Sequence, residues 1–160
     1  MARRGATSDS AYDKALGLLA RREHSARELK TKLARRGLDA AEASSALADL
    51  KAKDYQSDDR FGEMLVRTRI EGGYGPRWIV AELQTHGIGA ERARALIDAA
   101  EPDWKAVIRS QLRRRYGARP AASPAERSKR AAFLLRRGFD AHTVQLATRA
   151  TGLESDDELD

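Results

Sequence analysis

The chain has 160 residues, a net charge of +6, 41% apolar but only 6% aromatic residues, and no cysteine. Without thiols, disulfides and thiolate metal sites are excluded, as a reducing compartment would have it. No apolar run approaches the ~20 residues that span a bilayer, and no apolar stretch behind Arg3 and Arg4 reads as a signal peptide. A soluble, cytoplasmic protein with no membrane association is expected.

The charge is unevenly distributed. Residues 154–160 carry five acids and no base, so the remainder has a net charge of +11, and segment 105–137 alone holds eleven bases and one acid. Density of this kind fits an anionic partner, most often nucleic acid; the plainer reading is a solvated arginine-rich surface. Alanine and leucine dominate the apolar set, and alternating β-branched or aromatic runs are missing. The expected fold class is therefore all-α.

Residues 1–9 are small, polar and basic, and predict a disordered N-terminus. A first unit over residues 10–54 opens with Tyr12, Ala15, Leu16 and Leu19 at amphipathic helical spacing. Ser25 and Glu28 form a capping-box pair ahead of Ala26, Leu29 and Leu33. Gly37 ends that helix, Leu38 folds back onto it, and Asp39 with Glu42 starts a third helix carrying Ala43, Ala46, Leu47 and Leu50.

A second unit over 55–101 starts at Ser57, with Asp58 and Asp59 in the first turn and Phe61, Met64 and Leu65 as the apolar stripe. The run Gly72-Gly73-Tyr74-Gly75-Pro76 breaks the chain; Ile79 and Leu83 precede Gly87, and Ala93, Leu96, Ile97 and Ala100 follow it. A third unit over 102–152 has Trp104, Val107, Ile108 and Leu112, then a Pro/Ala/Ser loop over 117–124. Ser123-Pro124-Ala125-Glu126 starts its next helix, with Ala131, Leu134 and Leu135 facing inward, and Gly138-Phe139-Asp140 turns the corner. Residues 153–160 read as an acidic C-terminal tail, which is expected to compete with anions for the basic face.

Aligned on Gly37, Gly87 and Gly138, the core positions recur, although Val144, Ala147, Thr148 and Thr151 weaken the last stripe. Arg130 falls where Leu29 and Ile79 lie, so the third core must be built differently there. Three helices are too few to enclose a core alone, so three tandem three-helix repeats must stack. The expected product is an elongated, curved helical-repeat rod. No leucine seam suggests a coiled coil, and a monomer is expected.

No catalytic constellation emerges, and no enzyme, cofactor or metal site is expected. His24, His86 and His142 lie at separate turns and read as solvent-exposed. Asp58, Asp59 and Glu63 are better explained by the helix macrodipole than by a divalent cation. The glycine run at 72–75 follows a helix rather than a strand and lacks the lysine of a phosphate loop. Trp104 is expected in the core, and Trp78 is better read as packing than as a base-stacking platform.

The candidate surface is basic. Lys105, Arg109, Arg113 and Tyr116 step by about four residues and share a stripe opposite Trp104 and Ile108, while Lys129 and Arg136 face away from the next helix's apolar side. Together they can present a wall to phosphates or an acidic protein surface, with little base-specific readout.

The run Ala15-Leu16-Gly17-Leu18-Leu19-Ala20-Arg21-Arg22-Glu23-His24-Ser25, with Glu28-Leu29, Lys32-Leu33 and Gly37-Leu38, resembles the first repeat of RecX regulatory proteins. Asp58-Asp59-Arg60-Phe61, Arg67, Arg69, Gly73-Tyr74-Gly75-Pro76-Arg77, Glu82-Leu83 and Gly87-Ile88 resemble the second, and Arg136-Arg137-Gly138-Phe139 the third. The resemblance spans residues 10–152; the loop at 117–124 departs from it. It implies a regulator that lodges in the groove of the RecA filament on single-stranded DNA. Such a regulator restrains strand exchange, ATP hydrolysis and the co-protease activity behind the SOS response. It also makes Arg67, Arg69 and Arg77 a second candidate contact group. The rival expectations are a nucleic-acid-binding module that acts on single- or double-stranded DNA, or on RNA, without RecA, and a helical adaptor for another protein.

Overall fold

The structure, a computed structural model, describes residues 10–153, with side chains through Arg149. The expected disordered N-terminus and acidic tail lie outside the described residues. Among these there are nine α-helices and no strand: α1 (Ala11–Leu19), α2 (Ala26–Arg35), α3 (Ala40–Ala52), α4 (Asp58–Glu71), α5 (Pro76–Thr85), α6 (Ala90–Ala99), α7 (Trp104–Tyr116), α8 (Pro124–Arg136) and α9 (Ala141–Leu153). The chain forms two units. The first runs to Met64 and includes His86–Ile88; the second holds Leu65–Thr85 and everything from Gly89 onward.

In the first unit, polar caps start each helix. Ser10, Ser25 and Asp39 accept backbone N–H bonds from Asp13, Glu28 and Glu42, which relieves donors that helix geometry leaves unpaired. The Glu42 carboxylate also accepts the Ala11 N–H at 3.1 Å, tying the start of α1 to the start of α3. Ala11, Ala15, Leu18, Leu29, Leu33, Ala43, Ala46, Leu47 and Leu50 make the core, with Tyr12, Leu16, Leu19 and Leu38 packed at its margin. Small alanines on α1 and α3 let those helices approach closely. At Gly37 (φ 78°) the chain leaves α2 through bonds from Leu38 N–H to Leu33 O and from Gly37 N–H to Ala34 O, so a residue with a Cβ would be strained there.

The second unit has a core of Ile108, Leu112, Phe133, Leu134, Phe139 and Val144, flanked by Trp104, Val107, Tyr116, Ala131 and Ala147. Leu135 is 45% exposed, contrary to the inward position expected for it. The buried stripe of α8 is Arg130, Phe133 and Leu134, and Leu135 sits one residue, about 100°, beyond it. Ala100 is likewise exposed rather than in the core, because α6 stops at Ala99 and the chain turns away.

Within this unit the corner after α8 meets the start of α5 backbone to backbone. Gly75 N–H donates to Arg137 O at 2.8 Å and Arg77 N–H donates to Gly138 O at 3.0 Å. These are orphan donors of one helix start and orphan acceptors of another helix end, so each solves the other's problem. The approach requires glycine on both sides: a Cβ on Gly75 would lie 2.5 Å from the carbonyl carbon of Gly138, and one on Gly138 (φ +97°) 2.5 Å from Trp78 Cβ.

Candidate interaction surface

Asp103 caps α7 by accepting the Ala106 N–H at 3.1 Å, and Arg113, Arg114 and Arg115 occupy its last turn, where cations suit the helix dipole. Ile108, Gln111 and Leu112 are the buried positions of the helix. Lys105, Arg109 and Arg113 lie on the exposed side, as their spacing requires, and form no ion pair with a described residue. Lys129 and Arg136 on α8 are exposed as well.

Tyr116 does not belong to the open stripe. It lies four residues after Leu112, over the same helix face, and its ring meets Phe133 edge-on at 6.0 Å with the Arg130 guanidinium 4.9 Å from its centroid. Arg130 is only 4% exposed. Its charge is met by Glu126 at 3.1 Å and by the carbonyl of Arg119 at 3.0 Å, while its Nε has no partner. The third core thus replaces the aliphatic residue of the other units with a paired arginine, which fastens the 117–124 loop to α8.

The middle group divides in the same way. Arg69 holds Glu82 through two bonds of 2.7 and 2.6 Å, so its charge is committed. Arg67 and Arg77 have exposed side chains.

The structure also assembles a cluster that spacing along the chain did not reveal. The Arg137 guanidinium lies 4.5 Å from the Tyr74 ring centroid and 5.5 Å from that of Phe133; Arg115 approaches Phe133 at 4.7 Å. Tyr74 stacks on Trp78 with centroids 4.9 Å apart and an interplanar angle of 30°. Trp78 packs against Tyr74, as expected, yet keeps 44% of its surface exposed. Tyr74 is placed by the corner that ends α4, where Tyr74 N–H returns to Arg69 O at 3.0 Å. The sequence signal was present in Gly72-Gly73-Tyr74-Gly75, but only the meeting of Gly75 with Gly138 brings Arg137 to that ring.

Polar groups in the first unit serve its architecture. His24, expected in solvent, is 2% exposed. Its Nδ1–H donates to Arg22 O at 2.9 Å, leaving Nε2 to accept from Lys32 at 3.1 Å. Burial, outweighing the bond to Arg22 O, holds its pKa below the usual value, so the ring is neutral. Burial raises the Glu28 pKa, but the stronger combined pull of Arg22 and Lys32 brings it down to about 2. Ser25 shares its hydroxyl between Glu28 N–H at 3.0 Å and His86 Nδ1 at 2.8 Å. Asp58 accepts from Ala26 N–H and from Gln56, each at 2.9 Å, a structural task rather than a metal-binding one. Among the described residues no cluster of three or more metal-ligating side chains exists, and no helix is long and apolar enough to cross a membrane.

Comparison with known proteins agrees with the helical grouping. Residues 11–50, 57–100 and 103–147 match the family models for the first, second and third three-helix domains of RecX. Regulatory protein RecX of Stenotrophomonas maltophilia (strain R551-3) is 46% identical over 136 residues, covering 85% of this chain and 83% of that protein. Regulatory protein RecX of Xanthomonas campestris pv. campestris (strain B100) is 43% identical over 136 residues, covering 85% and 84%. The crystal structure of RecX from Lactobacillus salivarius superposes with a TM-score of 0.71 at 21% identity, covering 89% of this chain and 95% of that one, which bears on the fold alone.

Proposed function

The chain belongs to the RecX family, and from that premise we propose that it is a cytoplasmic, monomeric regulator that binds the RecA filament and restrains its recombinase, ATPase and co-protease activities. Three helical repeats, meeting near residues 54 and 101, present the contact surface. The observation that carries the reading is the exposed cationic face of α7, Lys105, Arg109 and Arg113, none of them paired to a described carboxylate. Lys129 and Arg136 extend the surface along α8, with Arg67 and Arg77 as a second group. Tyr116 and Arg69 contribute by supporting the surface, since both are already engaged. No catalytic step is assigned.

Long-range attraction between this face and an acidic partner raises the encounter rate and weakens with salt. The test is RecA's DNA-dependent ATPase with a triple variant, Lys105→Glu, Arg109→Glu and Arg113→Glu. Inhibition by the variant falls at least tenfold in potency while helicity by circular dichroism is retained. Unchanged inhibition removes this surface from the reading. A rival, direct action on nucleic acid without RecA, draws on the same cationic face. It predicts tight, steeply salt-dependent oligonucleotide binding together with unaltered RecA turnover at matched DNA occupancy.

A further inference from the structure

The cluster on the second unit is a stack of alternating rings and cations: Arg115, Phe133, Arg137, Tyr74 and Trp78 in spatial order. Its two arginines differ from the other arginines around it. Arg69 is spent on Glu82 and Arg130 on Glu126, whereas Arg115 and Arg137 make no side-chain hydrogen bond or ion pair with a described residue. Each guanidinium is backed by an aromatic ring, which orients its plane and leaves its N–H donors free for an outside acceptor. Phosphate oxygens are acceptors of the matching geometry.

Trp78 supplies the second half of a recognition site. Tyr74 stacks on one side of its ring, and Trp78 keeps 44% of its surface exposed. A partly open indole suits stacking by an unstacked nucleobase. Arg137, on the other side of Tyr74 from it, with Arg115 beyond Phe133, suits the phosphates of neighbouring nucleotides on the same strand. A third element lies alongside. Gln111 is 7% exposed, has no hydrogen-bond partner among the described residues, and packs where a Cβ on Gly73 would be only 2.0 Å from its Cδ. It shares a helix face with Arg115, one turn on. An amide so placed, with donor and acceptor both unused, can pair with a base edge or sugar hydroxyl.

We propose that Trp78, Tyr74, Arg137 and Arg115, with Gln111 beside them, form a binding site for single-stranded nucleic acid. The site selects single strands over duplex because bases inside a duplex are already stacked and cannot reach the indole. It deepens the proposed regulatory role by giving the chain its own hold on the strand, yet it requires no recombinase and is tested without one.

The protein has two tryptophans, so Trp104→Phe leaves Trp78 as the sole reporter. Titration of that variant with oligo(dT) at low salt is expected to quench its fluorescence saturably, with affinity falling as salt is raised. In parallel, anisotropy of a labelled oligo(dT) reads the affinity of the full chain with both tryptophans present. There, Trp78→Ala is expected to weaken binding roughly tenfold, within the range for losing one stacked base. Trp78→Phe retains most of the affinity, and the pair Arg115→Gln with Arg137→Gln weakens it by a similar factor and flattens the salt dependence. Equal affinity for duplex and single strand overturns the site, as does oligonucleotide binding that leaves Trp78 fluorescence and the variants unaffected. If these variants lose RecA inhibition while the parent protein binds no oligonucleotide, the cluster is a protein contact and the inference is wrong, though the regulatory reading survives.

Discussion

Replacing Gly75 with alanine tests whether the backbone joint between α5 and the α8 corner holds the second unit together. The new methyl group would sit 2.5 Å from the carbonyl carbon of Gly138, 2.6 Å from its oxygen and 2.6 Å from Phe139 N. All three are backbone atoms, so no side chain can rotate away and the two segments must separate. Separation breaks the bonds from Gly75 N–H to Arg137 O and from Arg77 N–H to Gly138 O. Two hydrogen bonds at about 1 kcal/mol each, plus about 1–3 kcal/mol of overpacking strain, give a destabilisation of roughly 3–5 kcal/mol. For a unit of this size that lowers Tm by on the order of 15 °C. Thermal unfolding followed by tryptophan fluorescence reports this event directly, since Trp78 and Trp104 both lie in the second unit. Gly17→Ala is the control: no atom lies within 4 Å of its added Cβ inside α1, and it should stabilise by up to about 1 kcal/mol. A Gly75→Ala protein melting within about 2 °C of the parent refutes the argument from close approach.

Stability should decline in acid in two stages. His24 is held neutral by burial, so below its usual value of 6.5 the unfolded chain binds the proton more readily and the native state loses ground. Glu28, lowered from 4.5 to about 2, adds a further loss as pH falls through that interval, with a ceiling of ~3 kcal/mol. Urea titrations from neutral pH down should show both stages, and Glu28→Gln should remove the lower one. Arg130→Met keeps much of the buried volume but leaves Glu126 and the Arg119 carbonyl without their donor, a loss of about 1–3 kcal/mol, and Arg130→Ala adds a cavity that costs about 2 kcal/mol more. Equal losses in the urea midpoint for both variants would contradict that account. Ser25→Ala removes a helix cap and the partner of His86 together, a loss of about 2 kcal/mol that denaturant unfolding measures.

The helices, their caps and their turns could be read from the chain because they are local matters. Ser25 with Glu28, Pro76, Ser123 with Glu126 and the corner at Gly37 act on neighbours three or four residues away, within one turn of backbone. The face that carries Lys105, Arg109 and Arg113 was legible for the same reason, since a helix fixes where every fourth side chain points. Which of the basic residues are free was not. Arg69 looks like its neighbours in the sequence, and only packing brought Glu82 to it; Glu126 stands one helical turn before Arg130, but only packing closed over that pair.

The inward positions of His24 and Arg130 have the same origin. Each is buried because distant or non-periodic groups (Gln56 against the His24 carbonyl, the Arg119 carbonyl against Arg130) close over a polar side chain. The cluster of Tyr74, Trp78, Arg115, Phe133 and Arg137 depends on one backbone joint, between Gly75 and the carbonyls of Arg137 and Gly138. Periodicity encodes which face of a helix is apolar. Which helix end meets which is set by where two glycine-bared stretches of backbone can touch, and that contact spans some sixty residues of chain.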